Sequence, residues 1–221
     1  MNENAFENFK KARRADCLKY KEFDEKYSVD TWHPTRISMD GTGEEAPGGI
    51  DNSFKYPGSV GYSNTALSQL DDINEYLSKI INMPDYNFID IGSGKGRTLI
   101  YNDEINSGYK KYIGVEIDEY LHNTAVSNLQ NKANVELFNV SLIDYTVPEE
   151  LNVIFTFGSG GKEKWEEFLS KNNFVSGTII VSVLGYPDFD EKTKVQFEYP
   201  ETKFGFSLIH AQDLIYFYKK D

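Results

Sequence analysis

Apolar positions between residues 65 and 221 switch repeatedly between helical spacing and short continuous runs, which predicts alternating helices and strands. Leu67, Leu70, Ile73 and Leu77 recur every three or four residues and predict a helix over 65–81, with Ser63 or Asn64 as its N-cap. The run 88–91, apolar but for one acid, predicts the first strand. A helix over 97–105, a strand over 111–117 and a helix over 119–131 with Leu121, Ala125 and Leu129 on one stripe follow. Strands are expected over 135–138, 152–157 and 178–183, with a helix over 162–172. The last two runs, 195–199 and 214–218, have no clear helix between them and predict an antiparallel finish. Such an alternation folds as a mainly parallel sheet covered on both faces, with its ligand at the carboxyl ends of the strands.

Residues 1–64 lack this alternation. A polar helix is expected over 8–26, and 28–64 is rich in Gly, Pro, Asp and Ser with isolated aromatics Trp32, Phe54, Tyr56 and Tyr62. A loop longer than ~15 residues in a compact domain is usually either disordered or a functional cover, and a cover is expected here. The expected division is an N-terminal extension over 1–64 that forms a lid, and a single α/β domain over 65–221.

The chemistry concentrates where the first strand ends. Asp90-Ile91-Gly92-Ser93-Gly94-Lys95-Gly96-Arg97 breaks from a strand into alternate glycines before a helix. Glycines there allow positive φ and a close ligand approach, and the helix start offers unpaired N–H groups to an anionic group. Glu116 ends the second strand about 20 residues further on, the separation at which an acid meets ribose hydroxyls in a βαβ unit. A P-loop needs Gly-x-x-x-x-Gly-Lys-Ser/Thr, which Gly94-Lys95-Gly96 does not supply. A dinucleotide fingerprint wants a glycine where Arg97 stands and would set a pyrophosphate near the carboxylate of Asp90. S-adenosylmethionine carries no phosphate; its carboxylate suits the loop and its ammonium suits Asp90.

The pattern Ile89-Asp90-Ile91-Gly92-Ser93-Gly94-Lys95-Gly96, with Gly114-Val115-Glu116-Ile117-Asp118 beyond it, resembles the class I S-adenosylmethionine-dependent methyltransferases. The resemblance covers residues 65–221 and implies a Rossmann-like doubly wound sheet of seven strands in the order 3-2-1-4-5-7-6, one of them antiparallel. It implies a cofactor, S-adenosyl-L-methionine, leaving as S-adenosyl-L-homocysteine. By the same resemblance Glu116 takes the ribose hydroxyls, Ile117 packs on the adenine, and Asp90, Gly92, Ser93, Gly94 and Gly96 hold the methionine end. The adenine amino group falls to Ser141, where relatives often carry an acid, with Asn139 or Asp144 sharing the contact and Val140 also counted among the cofactor-binding residues. Tyr62, at the start of Tyr62-Ser63-Asn64-Thr65, resembles the segment that crosses the methionine end, and Phe157 closes the fourth strand beside the cleft.

Two features bear on the acceptor. Relatives that methylate amino groups often carry Asn-Pro-Pro-Tyr after the fourth strand, and this chain has Phe157-Gly158-Ser159-Gly160-Gly161. A hydroxyl acceptor wants a base, for which Asp30, His33 and Asp40 in the expected lid are candidates, with His210 between the last strands as a further one.

Charge and composition narrow the rest. With 35 acids against 23 bases the formal net charge is −12, so the average surface repels a phosphate backbone. Nucleic acid is therefore not expected as a partner, and the basic group Lys10, Lys11, Arg13 and Arg14, flanked by acids, reads as a solvated helix face. The one cysteine, Cys17, excludes an internal disulfide and a cysteine zinc cluster, and no metal is expected. No signal peptide or long apolar run appears, so a cytoplasmic protein without membrane attachment is expected. The function expected is O-methylation of a sugar or other polyhydroxylated small-molecule or glycan acceptor. The alternatives are a protein lysine N-methyltransferase, because the loop and Glu116 also resemble non-SET histone-lysine enzymes, and a cofactor-binding protein without catalysis.

Overall fold

The computed structural model describes residues 11, 20–31, 65–105, 107–158, 160–183 and 204–221. Helix α1 (Tyr20–Tyr27) precedes α2 (Leu67–Ile80), β1 (Asn87–Ile91), α3 (Arg97–Glu104), β2 (Lys111–Val115), α4 (Glu119–Leu129) and β3 (Val135–Phe138). After them come β4 (Asn152–Phe157), α5 (Lys162–Lys171), β5 (Ile179–Val183), β6 (Phe206–Gln212) and β7 (Ile215–Lys220). The seven strands form one sheet in the order β3-β2-β1-β4-β5-β7-β6. Neighbours from β3 to β5 run parallel, and β7 lies antiparallel to both β5 and β6. This is the expected doubly wound architecture.

The period-2 alternation of strand side chains explains both layers. On one face Phe88, Tyr112, Val153, Phe155, Val181 and Phe217 pack with Leu70, Ile73 and Leu77 of α2, Leu99 and Ile100 of α3, and Leu129 of α4. On the other, Ile89, Ile91, Ile113, Val115, Ile154 and Ile180 meet Trp165, Phe168 and Leu169 of α5. Every residue of β1 is buried, which a strand covered on both faces requires. Asp90 falls on the α3 side of this strand, so its carboxyl enters the core beside the helix that follows the loop.

Two expectations need amendment. The N-cap of α2 is Ala66, whose N–H donates to the Gln69 side chain at 3.3 Å, whereas Ser63 and Asn64 lie outside the described residues. The antiparallel partner of the last strand is Phe206–Gln212, while 195–199 lies outside the described residues. Residues 20–31 pack closely on the α/β domain: Phe23 is buried in the same cluster as Leu70 and Leu99. His33, Asp40, Trp32, Phe54, Tyr56, Tyr62, Cys17, Lys10, Arg13 and Arg14 also lie outside the described residues, and Lys11 is exposed.

Candidate functional site

Strand order reverses between β1 and β4, and in an open α/β sheet the carboxyl ends of the strands at such a reversal are where a ligand binds. Registers Ile91↔Val115 and Ile91↔Thr156 set the three strand ends level, so the glycine loop, Glu116 and Phe157 emerge side by side. The loop turns back immediately: the N–H groups of Gly92 and Ser93 donate to Val115 O at 2.8 and 3.1 Å, and Gly96 N–H donates to Ser93 O at 2.8 Å.

Two of the loop glycines differ in what they are for. Gly94 has φ +52°, and its N–H donates to a Glu116 carboxylate oxygen at 2.8 Å, so backbone conformation and backbone donor both face the acid. Gly96 has φ +83°, and a Cβ there would stand 2.7 Å from Leu129 Cδ1 and 3.4 Å from Ala125 Cβ. Its missing side chain lets α3 pack on α4, a role in the fold.

Glu116 is the centre of the arrangement. One carboxylate oxygen accepts Gly94 N–H, and the other accepts Asp118 N–H at 2.8 Å. Its own N–H donates to Phe138 O, and Asn139 Nδ2 donates to Glu116 O at 2.8 Å and to Ile117 O at 3.2 Å. Asp118 caps α4 by accepting Leu121 N–H at 3.0 Å, which orients that helix start. Burial pushes the Glu116 carboxyl above the usual range, only partly opposed by the backbone donors of Asp118, Gly94 and Ile117. The two oxygens offer about four acceptor positions, of which the backbone N–H groups of Gly94, Asp118 and Ile117 take up to three, so capacity remains for a hydroxyl donor.

Asp90 behaves differently. Its carboxyl, beneath the loop, is buried and is pushed up to about 8, first by desolvation and then by the nearby Glu116 charge, against a hydrogen bond from Thr98. Near neutral pH this group holds a proton in the free protein, so the opposite charge expected for an ammonium is not already in place. Of the adenine candidates, Asn139 uses its amide N–H groups to fasten the end of β2, leaving its oxygen, and Val140 packs against the second core cluster. Ser141 is half-buried at the start of a single 3-10 turn, Leu142–Asp144, and Asp144 is exposed. Ile117 is half-buried, and Phe157 packs partly against the first core cluster.

The described base candidates are also placed. The Asp30 carboxylate sits 2.8 Å from Lys95 Nζ, an ion pair with a loop residue. His210 stacks on Tyr76 at 4.2 Å on β6, at the opposite edge of the sheet from β3. Sequence reasoning passed over Lys95, Arg97, Thr31 and Asn128, which all meet around the loop. Their types carry no signal alone; only the burial of Lys95, 1% exposed, marks it.

No family model matches the chain. A curated relative, the ribosomal RNA small subunit methyltransferase H of Kosmotoga olearia, is 34% identical over 142 residues, covering 54% of this chain. The chain spans about half the length of this relative, 47%. Among solved structures, the Escherichia coli protein yhhF, assigned as a methyltransferase, superposes with a TM-score of 0.54 at 14% identity, covering 72% of this chain and 89% of its own. An RNA methyltransferase from Salinibacter ruber in complex with S-adenosyl-L-homocysteine matches with a TM-score of 0.47 at 20% identity, covering 72% and 92%. The yhhF likeness is one of fold.

The ribosomal RNA relative corrects one expectation, that nucleic acid is not a partner. A net charge of −12 averages the whole surface, whereas contact with a polyanion is decided by the few groups around one cleft. Among the described residues no helix is long and apolar enough to cross a membrane.

Proposed function

We infer that this chain, which has the fold of the class I S-adenosylmethionine-dependent methyltransferases, binds S-adenosylmethionine at the ends of β1 and β2 and transfers its methyl group. The observation that carries the reading is the junction of Gly94 N–H, Asp118 N–H and the Glu116 carboxylate, which fixes an acid with spare acceptor capacity beside a positive-φ glycine. Those residues fit the cofactor. Glu116 would take the ribose hydroxyls, Ile117 would pack on the adenine, and the Asn139 oxygen and the Ser141 hydroxyl remain as acceptors for its amino group. The loop from Gly92 to Gly96 would hold the methionine end, with Asp90 beneath it. When bound, the cofactor supplies a methyl group on a positively charged sulfur. The chain's own contribution is alignment of an acceptor, which is worth ~7 to 11 kcal/mol when approach is in line.

RNA is the first acceptor class to test, supported by the ribosomal RNA methyltransferase relative. A hydroxyl on a sugar or other polyhydroxylated acceptor is the second reading. It is favoured by the turn after β4, where Phe157-Gly158-Ser159-Gly160-Gly161 has no proline or amide side chain to hold an amine. The experiment is transfer of a tritiated methyl group from labelled cofactor into fractionated cell extract. Counts in RNA support the first reading and counts in glycan or small molecules the second. Counts in protein would favour a lysine acceptor, and none despite cofactor binding would leave a binding protein.

A further inference from the structure

Residues 95 and 97 of the glycine loop are gripped by two consecutive residues of the N-terminal segment, and Gly96 stands between them. Lys95 has a side chain only 2% exposed, and a buried ammonium is costly unless paired. Its Nζ meets Asp30 Oδ1 at 2.8 Å and lies 5.9 Å from the Tyr120 ring centroid. Asp30 is itself fixed by its backbone: its N–H donates to Asn128 Oδ1 at 2.9 Å, and Asn128 Nδ2 donates to Asp30 O at 3.0 Å. The same Asn128 nitrogen donates to Lys95 O at 3.0 Å. Side chain and backbone of Lys95 are thus held by one closed ring of Asp30 and Asn128.

The next residue repeats the grip. Thr31 is fully buried; its N–H and hydroxyl both donate to the Asp24 carboxylate, at 2.9 and 2.5 Å. Arg97 donates to Thr31 Oγ1 at 3.4 Å, and its guanidinium lies 4.4 Å from the Phe23 ring centroid. Helix α1 and residues 28–31 therefore hold the loop at Lys95 and Arg97, while Glu116 holds it through Gly94 N–H.

We propose that Asp30 is a positioning residue for the cofactor loop: by holding Lys95, it keeps Gly94 N–H on Glu116 and pre-forms the site. This deepens the methyltransferase reading and rests on it. The Asp30 side chain is 61% exposed, so the pair is partly screened, and its loss should weaken cofactor binding about threefold to tenfold. Asp30 then positions the loop and is not the catalytic base, because its carboxylate is engaged by the Lys95 ammonium.

The test compares full-length wild type with Asp30→Asn, Asp30→Glu and Glu150→Gln, the last removing an exposed pair with Lys110 at the other end of the strands. Two readouts are taken: amide hydrogen exchange of residues 93–97 without ligand, and calorimetric titration with S-adenosylhomocysteine. Faster loop exchange and about threefold to tenfold weaker binding in Asp30→Asn, recovered in Asp30→Glu and absent in Glu150→Gln, is the expected result. If the methyltransferase assay gives turnover, KM for the cofactor should rise while kcat at saturating cofactor holds; a fall in kcat alone would instead return Asp30 to the role of base and overturn the proposal. Unchanged loop exchange in a folded Asp30→Asn also overturns it. Wild type that fails to bind S-adenosylhomocysteine fails the cofactor reading, and the exchange result is then what stands or falls with the loop grip.

Discussion

Each oxygen of Glu116 already accepts a backbone N–H, so the carboxylate shapes the loop before any ligand arrives. Glu116→Ala should therefore lower affinity for S-adenosylhomocysteine by ~1.5 to 3 kcal/mol, about 10- to 150-fold, in a chain that still folds, as read by calorimetry and circular dichroism. The two loop glycines should separate cleanly. Gly94→Val strains a φ of +52° beside the acid and should abolish binding, whereas Gly96→Ala meets Leu129 at 2.7 Å and should cost ~1 to 3 kcal/mol of stability in a denaturant titration. Asp90 makes a pH prediction with a definite sign. Its carboxyl is raised from 3.8 to about 8 in the folded chain, so between those values the unfolded chain sheds a proton the folded one keeps. Rising pH then favours unfolding, by at most about 1.4 kcal/mol per pH unit for one group. Asp90→Asn removes that contribution, so its stability relative to wild type should improve steadily from pH 5 to 7. The burial of Glu116 adds a trend of the same sign that the variant retains. The glycines and the two acids stood out in the sequence because spacing and residue type mark them. The grip of Asp30, Thr31 and Asn128 on the loop did not, since it joins positions 65 and 33 residues apart.

At the scale of elements, strands buried on both faces were legible as apolar runs, and helices α2 and α4 as stripes. The antiparallel finish and its last strand were legible too, but β6 was not. Of β6 only Phe206 is buried, and most of the strand is exposed, so no alternation marks it. Its turn offers no glycine: Asp213 and Leu214 take φ +45° and +67°, a positive-φ pair usually supplied by Asn-Gly. Burial of Leu214 in the core offsets the left-handed conformation its side chain resists. Helix α1 was visible only as part of a polar helix expected over 8–26, with no sign that it packs on the domain. Phe23 is 4% exposed and contacts the α2 and α3 layer, so Phe23→Ala should cost ~3 to 5 kcal/mol in urea unfolding. A change within ±0.5 kcal/mol would mean that α1 is not part of the cooperative core.

For the whole molecule, the sheet order places the strand-order reversal, the glycine loop and Glu116 together at the carboxyl ends of interior strands, and ligand class follows from which groups meet there. A pyrophosphate ligand would bring its charge toward the Glu116 carboxylate, while a nucleoside with an amino-acid tail brings hydroxyls to Glu116 and an ammonium that favours loss of the proton Asp90 holds in the free protein. The most direct test is calorimetric titration of the full-length chain with S-adenosylhomocysteine and, in parallel, with NAD. The account predicts one saturable site for S-adenosylhomocysteine and no heat of binding for NAD; comparable affinity for NAD, or none for S-adenosylhomocysteine in a folded chain, would contradict it.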